Sequence, residues 1–199
     1  MKPIYLDHAA TTRVHPEELA AMLPFLQEDY GNPSSIHAMG RLAREAVEHA
    51  REQIAAAIHC TPGELIFTSG GTESDNWAVS SFAKPGARLL CSAVEHHAVL
   101  RSMERAAAGG CTTELLRVDG FGAVQPETLA AALEKPAALA SVMAANNEVG
   151  TLQPIALLAS IAHERSCVFH TDAVQAFGSL PVDVEEWQVD MLSLSSHKI

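Results

Sequence analysis

The chain has 199 residues, 48% hydrophobic and 19% charged, which suits one globular domain with a sizeable core and excludes disordered and collagen-like classes. Lysine and arginine total 13 against 24 aspartates and glutamates, and the formal charge of -11 argues against a nucleic-acid partner, whose phosphates call for basic residues. Cys60, Cys91, Cys111 and Cys167 form no C-x-x-C pair and no stretch reaches ~18 consecutive apolar residues, so a soluble protein of a reducing, cytoplasmic setting is expected, without zinc knuckle, disulfide scaffold or membrane span.

In chain order, Ile36, Met39, Ala43, Val47, Ala50, Ile54 and Ala57 recur at steps of three and four, which predicts a buried stripe on one long helix, with Ser34 or Ser35 as N-cap. After Thr61-Pro62-Gly63 the pattern changes to strand-length apolar runs at 65–67, 89–91, 115–116, 139–145, 168–169 and 191–194. Helices are predicted between them at 72–82, 97–108, 126–133 and 154–165. Such alternation predicts an α/β fold, a mostly parallel sheet with helices on both faces and right-handed crossovers. Ligands of these sheets bind beyond the carboxyl ends of the strands, so the loops after the apolar runs are where chemistry is expected.

Thr68-Ser69-Gly70-Gly71-Thr72-Glu73-Ser74 follows the first run and opens a helix. Two glycines permit a tight turn with exposed N–H groups, a helix N-terminus favours an anion by up to ~1–2 kcal/mol, and Thr72 adds a hydroxyl, so the loop reads as a phosphate cradle. The plainer reading is a strand-to-helix turn capped by Thr72. Neither a Walker A loop nor G-x-G-x-x-G is present, so the phosphate need not belong to a nucleotide. In Glu95-His96-His97 the adjacent histidines point different ways and make poor joint metal ligands; one of them can stack on a flat ring or move protons, while the plainer reading of either is a surface or capping histidine. Asn146-Asn147 suits a turn, and equally suits hydrogen bonding to a ring substituent or a substrate carboxylate.

Asp172, in His170-Thr171-Asp172-Ala173-Val174-Gln175, is either a helix cap or a carboxylate that holds a heterocyclic nitrogen protonated, as pyridoxal phosphate requires. Lys198, in Ser195-Ser196-His197-Lys198, is either a solvated tail lysine or one that loses its charge beside an aromatic cofactor and forms a Schiff base. Together these loops supply the partners of pyridoxal phosphate. His49 and His163, on helices, fit no such constellation and read as surface residues.

Several motifs, in this order, make the chain resemble the cysteine desulfurases of the class V aminotransferase family, within the fold-type I pyridoxal-phosphate enzymes. They are Tyr5-Leu6-Asp7-His8-Ala9-Ala10-Thr11-Thr12, Gly31-Asn32-Pro33-Ser34-Ser35, the 67–76 segment, Glu95-His96, Asn146-Asn147-Glu148-Val149-Gly150, the 170–175 segment and Ser195-Ser196-His197-Lys198. The resemblance implies that Gly71, Thr72, Ser195 and His197 hold the phosphate, Asp172 pairs with the pyridine nitrogen and Gln175 binds the phenolic oxygen. It further implies that Asn147 reaches the substrate side, His96 stacks on the ring and shuttles protons, and Lys198 carries the cofactor covalently. Gly71 and Ser196 stand where many relatives have Ala and Gly, a difference between small residues.

The implied reaction takes L-cysteine to L-alanine and leaves sulfur as a persulfide on an active-site cysteine. Delivery to iron–sulfur or thio-cofactor assembly, through a sulfur-acceptor or scaffold protein, follows from the same resemblance, as does a homodimer that completes the phosphate site across its interface. Other readings are a sister enzyme of the family, selenocysteine lyase or a small aminotransferase, and, from a different class, a non-catalytic fragment that binds a partner.

By the resemblance, residues 1–199 are the cofactor-binding large domain, ending just after its lysine. The nucleophilic cysteine, an arginine for the substrate carboxylate and the small C-terminal domain lie downstream in the family, and none of the four cysteines here has a matching context. The family's next strand inserts antiparallel between residues 64–69 and 189–194. Without it, flanking strands roughly 10 Å apart are expected, with the phosphate cradle on one and Lys198 on the other. The isolated chain is then expected to bind the cofactor poorly and not to desulfurate cysteine.

Overall fold

A computed structural model of the chain describes residues 3–199. Five strands form one sheet: β1 (Arg88–Ser92), β2 (Thr112–Leu116), β3 (Leu139–Ser141), β4 (Val168–Asp172) and β5 (Met191–Ser193). Their order is β2-β1-β3-β4-β5 and every neighbour is parallel. Residues 142–144 leave the ladder proper, yet the Val142 and Ala144 N–H groups still donate to His170 and Asp172 carbonyls.

The long helices are α1 (Pro16–Gln27), α2 (Ala38–Ala57), α3 (Gly71–Phe82), α4 (His97–Ala108), α5 (Pro126–Ala132) and α6 (Ile155–Glu164), with a single turn, α7 (Val184–Trp187), before β5. Side chains alternate across a strand, so Leu89 and Cys91 pack with Val79 of α3 and Val99 and Met103 of α4. Leu90, between them, packs on the other face with Phe169, Leu129 of α5, and Leu158 and Ala162 of α6. Two apolar layers thus enclose the sheet, as expected for parallel strands.

The expected strand at 65–67 is absent. Pro62–Glu64 makes a 3-10 turn and the residues after it have no strand partner among the described residues. An apolar run of strand length becomes a strand only if a neighbour offers its N–H and C=O groups. Here Arg51 takes up one acceptor instead, donating to the Leu65 carbonyl at 2.5 Å, with its guanidinium 4.8 Å from the Phe67 ring centre. Leu65, Ile66 and Phe67 line a cavity of about 1320 Å³ together with Val189, Leu192 and Leu194.

Helix α2 begins later than expected. Asn32 closes a turn by accepting from the Ser34 and Ser35 N–H groups, and the cap is His37, whose Nδ1 accepts from the Gly40 N–H at 3.3 Å. Its apolar stripe is only partly covered: Ala43 and Ala55 are buried, but Ile36, Met39 and Ala57 are exposed. Helices α1 and α7 were not expected. The first carries a His15 capping box with Glu18 and buries none of its residues, leaving Leu19, Met22, Leu23, Phe25 and Leu26 exposed. Among the described residues no helix is long and apolar enough to cross a membrane.

The layering gives a direct stability contrast. Leu90→Ala, inside the core, is expected to cost roughly 2–5 kcal/mol in urea unfolding, while Phe25→Ala on α1 is expected to stay within about 0.5 kcal/mol.

Candidate functional site

All nine residues singled out in the loops, Gly71, Thr72, His96, Asn147, Asp172, Gln175, Ser195, His197 and Lys198, line one cavity. Parallel pairing accounts for most of this. His96 follows β1, Asn147 follows β3, Asp172 ends β4 and the Ser195–Lys198 segment follows β5, so all arrive at the carboxyl rim of the sheet.

The glycine loop reaches the same place without a ladder. Gly70 caps α3 with φ 156°, so the plainer reading of Thr72 as cap gives way to Thr72 inside the first turn. Glu73 folds back to accept from the Ser69 N–H at 2.6 Å, a bond that holds its carboxyl below the usual range. The Gly71 and Thr72 N–H groups make no hydrogen bond among the described residues, as expected for the first donors of a helix. A Cβ on Gly71 would lie 3.1 Å from a Val174 methyl and 3.6 Å from Ser195 Cβ. At the rim the start of α3 therefore lies close to the segment that leads to Lys198. The helix start reaches over the missing ladder and docks on the tail directly.

The tail is held by the other end of the chain. Lys198 Nζ donates to the carbonyls of Ala9 and, at 2.7 Å, Ala10; Gln175 Nε2 donates to Ala9 O at 3.0 Å. Thr12 bonds the His197 and Ile199 carbonyls through its hydroxyl at 3.0 and 3.1 Å, and the Thr11 hydroxyl lies 3.2 Å from His197 Nδ1.

His96 caps α4: its Nδ1 accepts from the Ala98 N–H at 3.1 Å, which assigns the proton of the neutral ring to Nε2. Asp172 is in part the turn residue its plainer reading suggested, because Oδ1 accepts from the Val174 N–H at 2.9 Å. The two asparagines divide their roles. Asn146 is structural, accepting from Glu148 and Val149 N–H groups and donating to Val94 O, while Asn147 lines the cavity. His163 pairs with Asp190 at 2.9 Å and His49 is exposed. Among the described residues no cluster has metal-ligand spacing.

Sequence reasoning missed the buried acids beneath the rim. Asp75 is 1% exposed and Glu95 is 6% exposed. Glu95 Oε1 accepts from Ser92 Oγ at 2.6 Å and Met143 N–H at 2.7 Å, but Oε2 has no partner, and burial pushes this carboxyl up to about 8. The signal for Asp75 was its spacing from Ala78 and Val79, which puts an acid on the buried stripe of α3.

The fold and rim define an open parallel α/β protein whose cavity presents helix N–H donors for an anion, a carboxylate, a histidine and a lysine. The sequence profile described as aminotransferase class-V matches residues 4–199, and the chain belongs to that family, one of pyridoxal-phosphate enzymes. It is 50% identical to a cysteine desulfurase IscS of Dictyoglomus turgidum and 44% identical to one of Methanosarcina thermophila, covering 99% of this chain and 51% and 50% of those proteins. The chain thus spans about half the length of the curated relatives it matches. Among solved structures, a NifS-like protein superposes with TM-score 0.93 at 39% identity, covering 98% of this chain and 55% of that one. The structure titled SspA in complex with cysteine gives 0.94 at 34%, covering 98% and 57%.

Glu95 makes a pH-dependent contribution to stability. A carboxyl raised in the folded state binds more protons there than when unfolded, so its contribution falls as pH rises from the ordinary carboxylate value to about 8. His170, lowered by burial to about 4, works the opposite way only below its unfolded value of 6.5. Between pH 6.5 and 8, Glu95→Gln is expected to flatten the fall in unfolding free energy by at most about 1.4 kcal/mol per pH unit, read from urea unfolding at several pH values.

Proposed function

We propose that residues 1–199 form the cofactor-binding large domain of a cysteine desulfurase, an enzyme that uses pyridoxal 5'-phosphate to convert L-cysteine to L-alanine and passes the sulfur on. The observation that carries this reading is the convergence of nine residues of the right chemistry from separate loops on one cavity. The names of the most similar relatives favour desulfurase over the sister activities of the family.

The residues fit the cofactor. Free N–H groups of Gly71 and Thr72, with Ser195 alongside, suit a phosphate; a bulkier residue at 71 would crowd Val174 and the tail. Asp172, lining the cavity, suits a protonated ring nitrogen, and Gln175, bonded to Ala9, suits the phenolic oxygen. When bound, pyridoxal phosphate supplies an electron sink that weakens bonds at a substrate Cα. Lys198 holds its amine at the cavity wall through the Ala9 and Ala10 carbonyls, within reach of a carbonyl carbon placed there. His96 keeps Nδ1 on the Ala98 N–H and so offers the Nε2 position for proton exchange, its ring fixed by the cap it makes. Asn147, lining the same cavity, suits the substrate side, where an amide can meet a carboxylate.

Sulfur acceptance calls for a thiolate, and three of the four thiols are turned away from that form, while Cys111 lines no part of the cavity. Burial raises Cys91, raises Cys167 to about 11, and with Glu64 raises Cys60. We therefore place the persulfide-bearing cysteine outside these residues. The exposed apolar side chains of α1 support a homodimer or another protein partner, including a sulfur acceptor or iron–sulfur scaffold.

The chain loaded with pyridoxal phosphate and reduced with borohydride is expected to carry a phosphopyridoxyl group on Lys198, located by peptide mass spectrometry and lost in Lys198→Ala. Trapping at Lys84 or Lys135 instead would overturn the site. Cysteine-dependent sulfide release is expected to be absent from this chain and restored on adding the rest of a desulfurase.

A further inference from the structure

Behind Asp172 the α3 face of the sheet holds ionisable groups that lack the partners a charge needs. Asp75, in the second turn of α3, is 1% exposed and its Oδ1 accepts no hydrogen bond. The nearest basic atom is His170 Nε2 at 3.8 Å. That ring is itself fully buried and already engaged on both sides, Nδ1 with Ser141 Oγ at 2.8 Å and Nε2 with Ser193 Oγ at 3.0 Å. The other titratable groups around Asp75 and Asp172 are Glu95, with an unpartnered Oε2, and Cys91, both buried, and on the cavity side His96 and Lys198.

Asp75 and Asp172 differ in a way that decides where charge resides. Burial raises Asp172 too, but there the Val174 N–H on Oδ1 and, beyond it, His96 and Lys198 oppose the rise. Asp75 has neither a backbone donor nor a cation, and its one donor is the Ser193 hydroxyl, which also engages His170. Stripping an ionised carboxylate of water without donors costs several kcal/mol, roughly 3–5 when an ion is left unpaired, whereas the neutral acid costs far less. Burial and the neighbouring Asp172 both raise Asp75, and burial keeps the His170 ring neutral near pH 7.

We propose that Asp75, buried in the wall of the same cavity beside His170, is held as an uncharged carboxylic acid against a neutral His170, so that negative charge is left to Asp172. A second ionised carboxyl there would repel charge on Asp172 and make Asp172 compete for the proton it is to leave on a ring nitrogen. Neutral Asp75 removes that competition. The functional meaning rests on the reading that Asp172 pairs with the pyridine nitrogen, but the protonation states do not.

The test is carboxyl 13C and imidazole 15N NMR of the chain without cofactor, with Asp75→Asn and Asp172→Asn for assignment. Asp75 is expected in its protonated form at pH 7 and His170 as a neutral ring. In Asp75→Asn, one neutral group replaces another, so the midpoint of Asp172 is expected to move by less than about 0.3 pH unit. An ionised Asp75 at pH 7, an imidazolium at His170, or a fall of about one unit or more in the Asp172 midpoint would overturn the inference. If Asp75→Asn does not fold, the backbone-correlated Asp75 signal of the unaltered chain decides the matter alone. A separate titration of the bound cofactor's absorbance in Asp172→Asn tests the ring-nitrogen reading, and its failure would leave the Asp75 result standing.

Discussion

Parallel pairing is the constraint on which the site depends. Because the strands run one way, their carboxyl ends share a rim, and the loops leaving β1, β3, β4 and β5 bring His96, Asn147, Asp172 and Lys198 to it. Strand β2 lies outside β1, farthest from β5, and the loop after it supplies none of the nine cavity residues. The rim thus brings together side chains from four separate loops, the first and last of them, His96 and Lys198, 102 residues apart in sequence.

Two contacts complete what the ladder leaves undone. The glycine loop has no strand to carry it, so its place is fixed by Gly71 against Val174 and Ser195. The tail has only a 3-10 turn after β5, and residues 9–12 supply the bonds that order it. The first motif of the chain and the last are thus one structural unit, and neither lines the cavity alone.

What was legible in the sequence follows from how local each signal is. Helices α3 to α6 lie close to their expected places because proline, glycine and an apolar stripe mark them within a few residues. The 65–67 run failed as a strand because pairing is a property of the neighbour, and periodicity carries no word of it. Helix α1 went unseen because it buries none of its residues and so needs no stripe. His37, not a serine, is the cap because the Asn32 turn occupies residues 32–35 and the helix starts only at Ala38. Candidate site residues were readable as loop chemistry, but their neighbours were not: Ala9 and Ala10 act through carbonyls, which every residue possesses. Asp75 acts through burial, which shows only as an acid on an apolar stripe.

Charge on the α3 face is rationed along the strands. Reading toward the rim, β1 passes from Leu89 to Cys91, β3 from Leu139 to Ser141, β4 from Val168 through His170 to Asp172, and β5 from Met191 to Ser193. Apolar side chains give way to hydroxyls and a neutral imidazole, and only then to a carboxylate with a donor of its own. The serines satisfy both nitrogens of His170 without bringing a charge, and Ser92 does the same for one oxygen of Glu95. A buried polar layer of this kind strengthens any field that crosses it, because the effective dielectric is low and few mobile charges answer. An ionised group placed in the layer would therefore act on the cavity at full strength. Keeping the layer polar but uncharged leaves Asp172 as the group whose charge a ligand meets, and it accounts for the one oxygen that each acid beneath it leaves without a partner.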